Sequence, residues 1–443
     1  MRIFGTRVAA LETERQAPRS QKETMFQFAE IPNLRHLRML QVIGRMGGVS
    51  AAARELCTSQ PAVTQAVANL EAEIGAPIFE RCATGTYPTA LGKQYLLRLD
   101  RFFEFLDAAV AQAMVRQGAG PDRAPPQVDR LMTGTQLRAL IVTSEQGRVD
   151  EIARELGLAA DSLFRSARTL ERTFGRPLFD RTAQGPILNK TGTFLAREFR
   201  RAVREMELAR GEVLLAAGSE SLEIVIGTLP MAGSHELAEA TRTFMADNPS
   251  VKLRLITGDY GTLLGDLTNS RIDMIFGMLH KPESADDVSE EILFRDGYCV
   301  VARAGHPLAD HPKVEPADLA RFQWVVPSRG TPRRRRIEAI FDGMEAPPRF
   351  HLETSSLPMS RALLLSSDAL TLMTRSEVRY DLNYGVLAEL RCPYLDDVLL
   401  KGVTTRSEWL PTQAHKDFLN SLREATQARY AWIERRASEM SLA

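Results

Sequence analysis

A short polar stretch near residue 60 has the side chains that read the edges of DNA bases. Gln60 is able to form two hydrogen bonds with N6 and N7 of adenine, and small apolar or hydroxyl groups beside it suit a thymine methyl or a phosphate. We therefore predict a DNA contact, the alternative being an ordinary set of surface side chains. The residues assigned to this contact are Ser59, Gln60, Pro61, Ala62, Thr64 and Gln65.

A second group of polar side chains lies at loops that follow predicted strands in the C-terminal half. Ligands of open α/β sheets bind beyond the carboxyl ends of the strands, and helix N-termini attract anions. This pattern predicts a site for a small polar or anionic molecule; the alternative is that the hydroxyl groups only cap helices. The predicted ligand-binding residues are Thr228, Leu229, Tyr260, Ser328, Arg329, Thr331, Ser355 and Ser356.

Sequence signals for catalysis or for a metal are missing. The chain has no Gly-x-Ser-x-Gly, no phosphate-binding P-loop, no His-Glu-x-x-His and no Gly-x-Gly-x-x-Gly after a strand. The cysteines are far apart, so neither disulfides nor zinc are expected; they are Cys57, Cys82, Cys299 and Cys392. We predict a protein that is not an enzyme and needs no cofactor or metal.

Composition is that of an ordinary globular chain with an uneven charge distribution. The 443 residues are 44% hydrophobic and 25% charged, and 56 basic residues balance 56 acidic ones. Residues 33–215 carry 25 basic and 20 acidic groups, whereas residues 216–443 carry 26 and 32. The first half therefore permits nucleic-acid binding without requiring it. No apolar run reaches the roughly 18 residues that span a bilayer, and the first 30 residues lack a secretory core, so we expect a cytoplasmic protein of about three domains.

An internal repeat at an offset of 100 residues organises the first half. Between 37–92 and 137–192, 19 of 56 positions are identical without a gap. Such self-similarity indicates a duplicated domain. The glycines at 92 and 192 are among the repeated residues.

The first copy has the pattern of a winged helix-turn-helix. Apolar spacing predicts helices over 34–46, 49–56 and 60–72, and Ser59 is a suitable N-cap for the third. A hairpin is predicted over 78–88, with Arg81 at its base either near DNA or in an ion pair with Glu80 or Glu71. A helix over 90–116 carries an apolar stripe that must pack against a partner.

The second copy keeps the apolar positions but loses the base-reading residues. Ala159-Ala160-Asp161-Ser162 replaces the polar stretch, and Asp161 is predicted to cap the helix. Arg165, Arg168 and Arg172 follow along that helix. They either contact phosphates or pair with acidic groups or a partner subunit.

The C-terminal half alternates strands and helices. Strands over 222–226, 251–256 and 273–277 alternate with helices over 234–247 and 260–270, and a second series starts near Tyr298. This order predicts two α/β lobes with parallel strands and a cleft between them. The run Arg333 to Arg336 is expected to be a solvated helix face, the alternative being a role in binding an anion or a partner subunit.

Residues 33–117 and 218–430 resemble the LysR-type transcriptional regulators. The resemblance rests on Ala51-Ala-Ala-Arg-Glu-Leu-x-x-Ser59-Gln60-Pro61-Ala62-x-Thr64, followed by Leu70-Glu71, Phe79-Glu-Arg81 and Thr89-x-x-Gly92. It implies a winged helix-turn-helix, a dimerising linker helix and a two-lobed effector domain resembling periplasmic binding proteins. It also implies that residues at positions 59–65 contact DNA. The duplicated unit departs from the usual single-unit plan.

Together these features predict a fold of two tandem winged helix-turn-helix domains with long linker helices, followed by a two-lobed α/β domain. The predicted function is sequence-specific regulation of transcription under control of the effector, in a homodimer or homotetramer on double-stranded DNA. The alternative is an architectural or partner-binding protein whose second winged domain serves dimerisation. The predicted segments are an extension (1–32), the first winged domain (33–92), its linker helix (93–117), a flexible linker (118–135), the second winged domain (136–192), its linker helix (193–218), lobe I (219–297 and 400–430), lobe II (298–399) and a tail (431–443).

Overall fold

The computed structural model of the protein describes residues 31–82, 85–115, 128–145, 147–183, 185–219, 222–280, 287–348 and 350–441. The extension predicted over 1–32 lies almost entirely outside these ranges, as does most of the flexible linker predicted over 118–135. Within the described ranges, no helix is long and apolar enough to cross a membrane.

The first unit consists of three helices, a hairpin and a long helix. Gly47, in the left-handed region with φ of 72°, ends the first helix, and the Ser59 hydroxyl accepts a hydrogen bond from the Ala62 N–H (3.4 Å) at the start of the third. Between the second and third helices the chain turns through Cys57 at φ of 51°. The elements are α1 (Leu34–Met46), α2 (Val49–Glu55), α3 (Gln60–Ile74), β1 (Phe79–Cys82), β2 (Gly85–Pro88) and α4 (Ala90–Val115).

A second unit repeats this order after one short helix. Its turn passes through Gly157 at φ of 68°, where glycine removes the strain that Cys57 carries in the first unit. The prediction that Asp161 caps the recognition-like helix is wrong, because the helix begins at Ala160 and the N-cap is Ala159. Asp161 lies in the first turn, where its charge favours the positive end of the helix dipole. The elements are α5 (Val128–Leu131), α6 (Gly134–Thr143), α7 (Val149–Glu155), α8 (Ala160–Phe174), β3 (Phe179–Thr182), β4 (Gly185–Leu188) and α9 (Lys190–Ala216).

The repeated glutamate at the end of the third helix fastens the hairpin to it. Glu71 Oε1 accepts hydrogen bonds from the N–H groups of Ile78 (2.8 Å) and Phe79 (3.0 Å). Glu171 binds the two corresponding N–H groups of the second hairpin at 2.7 and 3.2 Å. A carboxylate that accepts two backbone N–H groups holds the strand at a fixed angle to the helix.

The repeated glycine at the start of each long helix allows the helix to touch the hairpin. A Cβ atom on Gly92 would lie 2.0 Å from the carbonyl oxygen of Ile78. On Gly192 it would lie 2.4 Å from the carbonyl oxygen of Leu178. Only glycine fits at such a distance, and this explains why both copies keep it.

The long helices α4 and α9 pack against each other within one chain. The apolar stripe of α4 and residues of α9 such as Phe199 and Val203 belong to a single buried cluster. The partner that the sequence requires for this stripe is therefore supplied in cis. The members of the stripe are Leu96, which is 9% exposed, and five residues that are at most 1% exposed: Leu99, Phe102, Phe103, Leu106 and Val110.

The C-terminal half forms two α/β lobes. Its last helix runs through most of the segment that was predicted as a separate tail. In chain order the elements are β5 (Leu222–Thr228), α10 (Ser234–Asp247), β6 (Val251–Thr257), α11 (Tyr260–Thr268), β7 (Met274–Met278), β8 (Val288–Asp296), β9 (Tyr298–Arg303), α12 (Pro316–Leu319), β10 (Val325–Val326), α13 (Pro332–Ile340), β11 (Leu352–Glu353), α14 (Leu357–Ser366), β12 (Thr371–Thr374), α15 (Arg375–Asn383), β13 (Leu387–Glu389), β14 (Leu399–Arg406) and α16 (Gln413–Ser441).

Lobe I is built on a five-stranded sheet in the order β6-β5-β7-β14-β8. As predicted, β5 is parallel to both β6 and β7, whereas β14 is antiparallel to both β7 and β8. The lobe II strands pair as β12-β9-β13 and β10-β11. The parallel direction expected there is correct for β10 with β11 but wrong for β9, which is antiparallel to both of its neighbours. Gly297 alone separates β8 of lobe I from β9 of lobe II, so the chain passes directly from one sheet to the other.

Candidate DNA-binding surface and effector cleft

The first half of α3 presents polar side chains to solvent while its opposite face is buried. Val63, Ala66 and Leu70 are at most 3% exposed and belong to the core of the unit. The outward residues are Gln60, Pro61, Ala62 and Gln65, which are exposed, with Thr64 half-buried. The sequence-predicted set from 59 to 65 therefore lies on one helical turn and a half, beginning at the N-cap.

Two of these side chains differ in how they are held. Gln65 donates a hydrogen bond from Nε2 to Asn69 Oδ1 (2.8 Å), so its amide is oriented by its own helix. Within the described part of the chain, the Gln60 side chain has no hydrogen-bond partner and its amide is available to an external ligand.

Arg81 belongs to the hairpin beside this helix. It lies in β1 and pairs through its backbone with Thr86, while its side chain and the hairpin tip at 83–84 lie outside the described residues. For the alternative, an ion pair between Arg81 and Glu71, the arginine would have to share a carboxylate that already accepts hydrogen bonds from the backbone N–H groups of Ile78 and Phe79.

The corresponding face of α8 is cationic. Arg165, Arg168 and Arg172 are exposed and follow one another at helical spacing along one side. No carboxylate of the described residues lies within 4 Å of them, so none of those carboxylates forms an ion pair with these arginines. Two of the corresponding positions in α3 are Gln65 and Ala68.

The lobe I part of the predicted effector site gathers at the carboxyl ends of β5 and β6. The Thr228 and Thr257 hydroxyl oxygens are 3.0 Å apart, and Leu229 follows with 8% exposure. The Tyr260 ring stacks on His280 at 4.0 Å. The Tyr260 hydroxyl is buried and has no hydrogen-bond partner among the described residues; burial raises its pKa, and Glu290 adds to that effect.

The lobe II part gathers at the carboxyl ends of β10 and β11. Since these strands are parallel neighbours, the loops after them meet, and the hydroxyl oxygens of Ser328 and Ser355 are 3.3 Å apart. Thr331 caps α13 and Ser356 caps α14, each through its hydroxyl oxygen at 3.3 Å from a backbone N–H. Arg329 is exposed beside them. Thr331 and Ser356 thus cap helices, whereas capping does not account for the Ser328–Ser355 pair.

The loop after β5 reaches across to lobe II. Arg333, on the first turn of α13, donates hydrogen bonds to Met231 Sδ (3.4 Å) and to the Leu372 carbonyl (3.3 Å). Ser234 donates to Glu377 Oε1 at 2.8 Å. The loop that follows Thr228 and Leu229 and the helix that Thr331 caps therefore meet at one junction between the lobes.

The expectation of a solvated arginine run is wrong for its first two members. Arg333 is 8% exposed and Arg334 is 4% exposed, because α13 packs this side onto lobe II. Arg334 is paired with Glu338 (2.7 Å). Arg333 has no carboxylate within 4 Å among the described residues, and burial lowers its pKa from the ordinary value. A buried guanidinium between the lobes, still protonated, is a candidate anion ligand, which is the role that the sequence offers as the alternative for this run.

A buried lysine joins the lobes behind this junction. Lys401 on β14 forms an ion pair with Asp296 (2.7 Å) and donates to the Met231 carbonyl (2.6 Å) and Ser376 Oγ (2.8 Å). Burial lowers the pKa of Lys401, and Asp296 opposes that shift. No local sequence signal marks this residue, since its partners come from both lobes.

A second buried charge cluster connects α9 to lobe I. Arg204 places its guanidinium on Asp273, with NH2 at 2.9 and 2.8 Å from the two carboxylate oxygens. The Val225 N–H donates to Asp273 at 2.9 Å, and His415 Nε2 lies 3.5 Å away. Burial alone would raise the pKa of Asp273, but Arg204 and His415 outweigh it and hold that pKa well below its usual range. The linker helix is thus attached to the lobe I sheet through an ion pair.

Comparison with known protein families assigns both halves of the chain. The family model described as "Bacterial regulatory helix-turn-helix protein, lysR family" matches residues 34–93, and the one described as "LysR substrate binding domain" matches residues 217–427. The first covers α1 to the start of α4, and the second covers both lobes. Residues 94–216, which include the second unit, lie between the two matches.

Named relatives are transcriptional regulators. The chain is 28% identical over 397 residues to the HTH-type transcriptional regulator GalR of Pseudomonas putida, a match that covers 89% of this chain and 98% of that protein. A match of that extent must include part of the second unit. It is 26% identical over 301 residues to the HTH-type transcriptional regulator PcaQ of Agrobacterium fabrum, covering 67% of this chain and 96% of that protein.

Solved structures with similar chains include full-length CbnR complexed with its target DNA. That chain is 16% identical, with a TM-score of 0.45, over 66% of this chain and 98% of its own. The effector binding domain of QuiR in complex with shikimate is 16% identical, with a TM-score of 0.39, over 46% of this chain and 97% of its own.

The relatives do not favour the architectural alternative, and none of those named above is an enzyme. Together with an exposed polar helix in a helix-turn-helix and a two-lobed α/β domain, the two family matches lead to one conclusion. The chain belongs to the LysR family, as a DNA-binding transcriptional regulator with an effector-binding domain.

Proposed function

We propose that α3 reads DNA sequence in the major groove, with Gln60 as its principal base-reading residue. The observation that supports this most directly is the exposed, unpartnered Gln60 amide at the N-terminal end of a helix whose opposite face is buried. Helix-turn-helix proteins contact bases through this end of the recognition helix. Ser59, Pro61, Ala62, Thr64, Gln65 and Arg81 supply the neighbouring base and phosphate contacts.

We also infer that residues 136–192 are a second winged helix-turn-helix and that α9 is its linker helix. The same order of elements, the same glutamate-to-hairpin hydrogen bonds and the same close glycine contact support a duplication. Loss of the Ser-Gln-Pro stretch in this copy means that base reading belongs to the first copy.

The effector is a small polar or carboxylate-bearing molecule held between the lobes. Thr228, Leu229 and Tyr260 contact it from lobe I, and Ser328, Arg329, Thr331, Ser355 and Ser356 contact it from lobe II. The buried Arg333 guanidinium and the unpartnered Tyr260 hydroxyl favour an anion with hydrogen-bonding groups.

Regulation then operates through the closure of the two lobes. A ligand shifts this equilibrium only by its differential affinity for the two states, typically about 1–3 kcal/mol. The Arg204–Asp273 pair transmits movement of lobe I to α9 because it joins a sheet residue to the linker helix.

Selection from a random DNA library with the full-length chain near 0.15 M salt tests the DNA proposal. Wild-type protein should enrich a defined motif. Gln60→Ala should lose roughly 5- to 150-fold discrimination at one base pair, the equivalent of about 1–3 kcal/mol, while salt-sensitive background binding remains. Gln323→Ala, an exposed glutamine in lobe II, is the matched control. Unchanged site preference in Gln60→Ala would remove Gln60 from the base-reading role.

A panel of small carboxylates, assayed by their effect on DNA affinity, tests the cleft. An active compound should lose its effect in the double variant Thr228→Val, Ser328→Ala, while DNA binding without it stays intact. Ser366→Ala, an exposed serine on the outer end of α14, should respond like wild type. A persistent response in the double variant would place the effector elsewhere.

A further inference from the structure

The two long helices of one chain are arranged like the two halves of a symmetric dimer. Because the repeat offset is 100, Glu205 of α9 corresponds to position 105 of α4. Arg101 of α4 contacts it, with Nε 3.0 Å from Glu205 Oε1. Arg201 of α9 corresponds to position 101, and it contacts position 105 of α4, with its guanidinium 4.5 Å from the Phe105 ring centroid. Such reciprocal contact, i with j and j with i, is the signature of a two-fold axis.

The helices run antiparallel across this axis. Residues nearer the start of α4 contact the end of α9, as in the ion pair of Arg98 with Glu212 (2.5 Å). Arg98 also pairs with Glu205 at 2.9 Å and is only 3% exposed. The interface is therefore a closed core with buried charge pairs, and the apolar stripe of α4 is not available to a second chain.

This arrangement places α3 and α8 at opposite ends of the helix pair. Each is joined to its hairpin through Glu71 or Glu171, and the hairpin touches the first turn of its own long helix at Gly92 or Gly192. Because Arg101 faces Glu205 in the antiparallel pair, Gly192 lies opposite position 114 of α4, about 22 residues from Gly92. At 1.5 Å per residue, the two first turns are separated by about 33 Å along the helix pair. Consecutive major grooves on one side of B-DNA are separated by a similar distance, roughly 34–36 Å.

The two exposed helix faces differ in chemistry. The pseudo-two-fold axis gives α3 and α8 the same inclination, but α3 presents glutamine and alanine where α8 presents Arg165, Arg168 and Arg172. Guanidinium groups on such a face match phosphates, which carry no sequence information.

We propose that one chain is by itself a two-headed DNA-binding unit. In this unit, α3 reads base edges in one groove, and the arginine face of α8 holds the phosphates of the adjacent groove. The DNA element recognised by a single chain is therefore asymmetric, with one sequence-specific half and one sequence-tolerant half. The inference depends on the proposed role of α3 and adds a second, non-reading contact in cis.

Hydroxyl-radical footprinting with the full-length protein tests the geometry. On a duplex that contains the selected motif, wild-type protein should protect the motif and one adjacent helical turn on a fixed side. Replacing the sequence of that turn should change affinity by no more than about 3-fold. If an inverted copy of the motif is needed there, with a loss of 100-fold or more on its replacement, a second chain's α3 occupies that groove and the inference is overturned.

The triple variant Arg165→Ala, Arg168→Ala, Arg172→Ala separates the two heads. Its protection should shrink to the motif, and the slope of log affinity against log salt should fall by about 0.9 for each phosphate that an arginine no longer neutralises, or nearly 3 in all. The control with the same charge change is Arg321→Ala, Arg335→Ala, Arg391→Ala, three exposed arginines of lobe II.

The possible results distinguish the inference from the proposal beneath it. An unchanged footprint and salt slope in the α8 triple variant, with Gln60→Ala still defective, overturns the second head alone. A Gln60→Ala variant with unchanged preference overturns the role of α3. Equal losses in the α8 triple variant and in the lobe II control overturn the inference, because they attribute the effect to net charge.

Discussion

Replacement of Asp273 by asparagine tests the junction between the linker helix and lobe I. Asp273 is 1% exposed and accepts hydrogen bonds from both Arg204 and the Val225 N–H. The substitution preserves size but removes the charge that neutralises Arg204, whose other close carboxylate is Glu207 at 3.3 Å. Breaking a buried pair by removing one partner costs about 3–5 kcal/mol, because the remaining charge stays buried.

The expected loss lies near the lower end of that range, because asparagine keeps one oxygen that accepts a hydrogen bond. A loss of about 3 kcal/mol corresponds to a Tm roughly 6–12 °C lower for a domain of about 150–250 residues, the size class of the effector domain. Tryptophan emission is a suitable probe, because the Trp409 ring lies 5.1 Å from the ring of His415, which itself faces Asp273. Circular dichroism of the full chain reports whether the helices unfold in the same transition.

The Glu239→Gln variant is the control for this experiment. Glu239 also forms a two-bond contact with an arginine, Arg242, but both side chains are more than half exposed. An exposed pair of this kind contributes little to stability, so its Tm should be unchanged. If Asp273→Asn lowers Tm by less than 2 °C, or no more than Glu239→Gln does, then the junction is not held by the ion pair and the coupling argument fails.

Three further substitutions address other parts of the chain. In urea unfolding, Gly92→Ala should destabilise the first unit by about 1–3 kcal/mol or more, because the added Cβ would lie 2.0 Å from a carbonyl oxygen. The control Gly265→Ala, whose added Cβ would have no atom within 4 Å, should be neutral or slightly stabilising. Burial lowers the pKa of His415 below its ordinary value, so the unfolded chain binds a proton that the folded chain does not. The free energy of unfolding should therefore fall as the pH drops below about 6.5. If the Tm of a His415→Gln variant falls as steeply as that of wild type between pH 7.5 and 5, the explanation is wrong. Lys401→Met should lower the free energy of unfolding by about 3–5 kcal/mol, because Asp296 stays buried without its 2.7 Å partner. Adding Asp296→Asn to that variant should recover part of the loss in urea unfolding. No recovery would mean that altered packing, and not the missing charge, explains the effect.

Much of the N-terminal architecture could be predicted from the sequence because its signals are local. The N-cap at Ser59 and the helices near residues 34, 49 and 60 depend on neighbours a few positions away. The offset-100 repeat needed only comparison of the chain with itself. Asp161 shows the limit of such signals, because a capping residue two positions inside the helix start does not cap.

In the effector domain, the loops of the site could be predicted but the residues behind them could not. Ser328 and Ser355 were assigned from strand ends and meet as expected for parallel neighbours. Arg333 was assigned to solvent because a run of arginines is usually exposed, and only the packing of α13 on lobe II shows that it is buried. The expectation that arginines are exposed fails where tertiary packing buries them. The spacing of residues within the nine-residue helix α13 does not reveal that packing.

The sequence by itself predicted the two kinds of chemistry proposed for this chain: a base-reading helix with an arginine-bearing copy, and strand-end hydroxyl groups for a polar ligand. Only the tertiary structure decided that α4 is covered by α9 of the same chain, and that buried charges such as Arg204 with Asp273 join the halves. Hydrophobic periodicity shows that a helix face must be buried but not against which surface. The state of a buried charge depends on desolvation by residues far away in sequence, and folding alone brings those residues together.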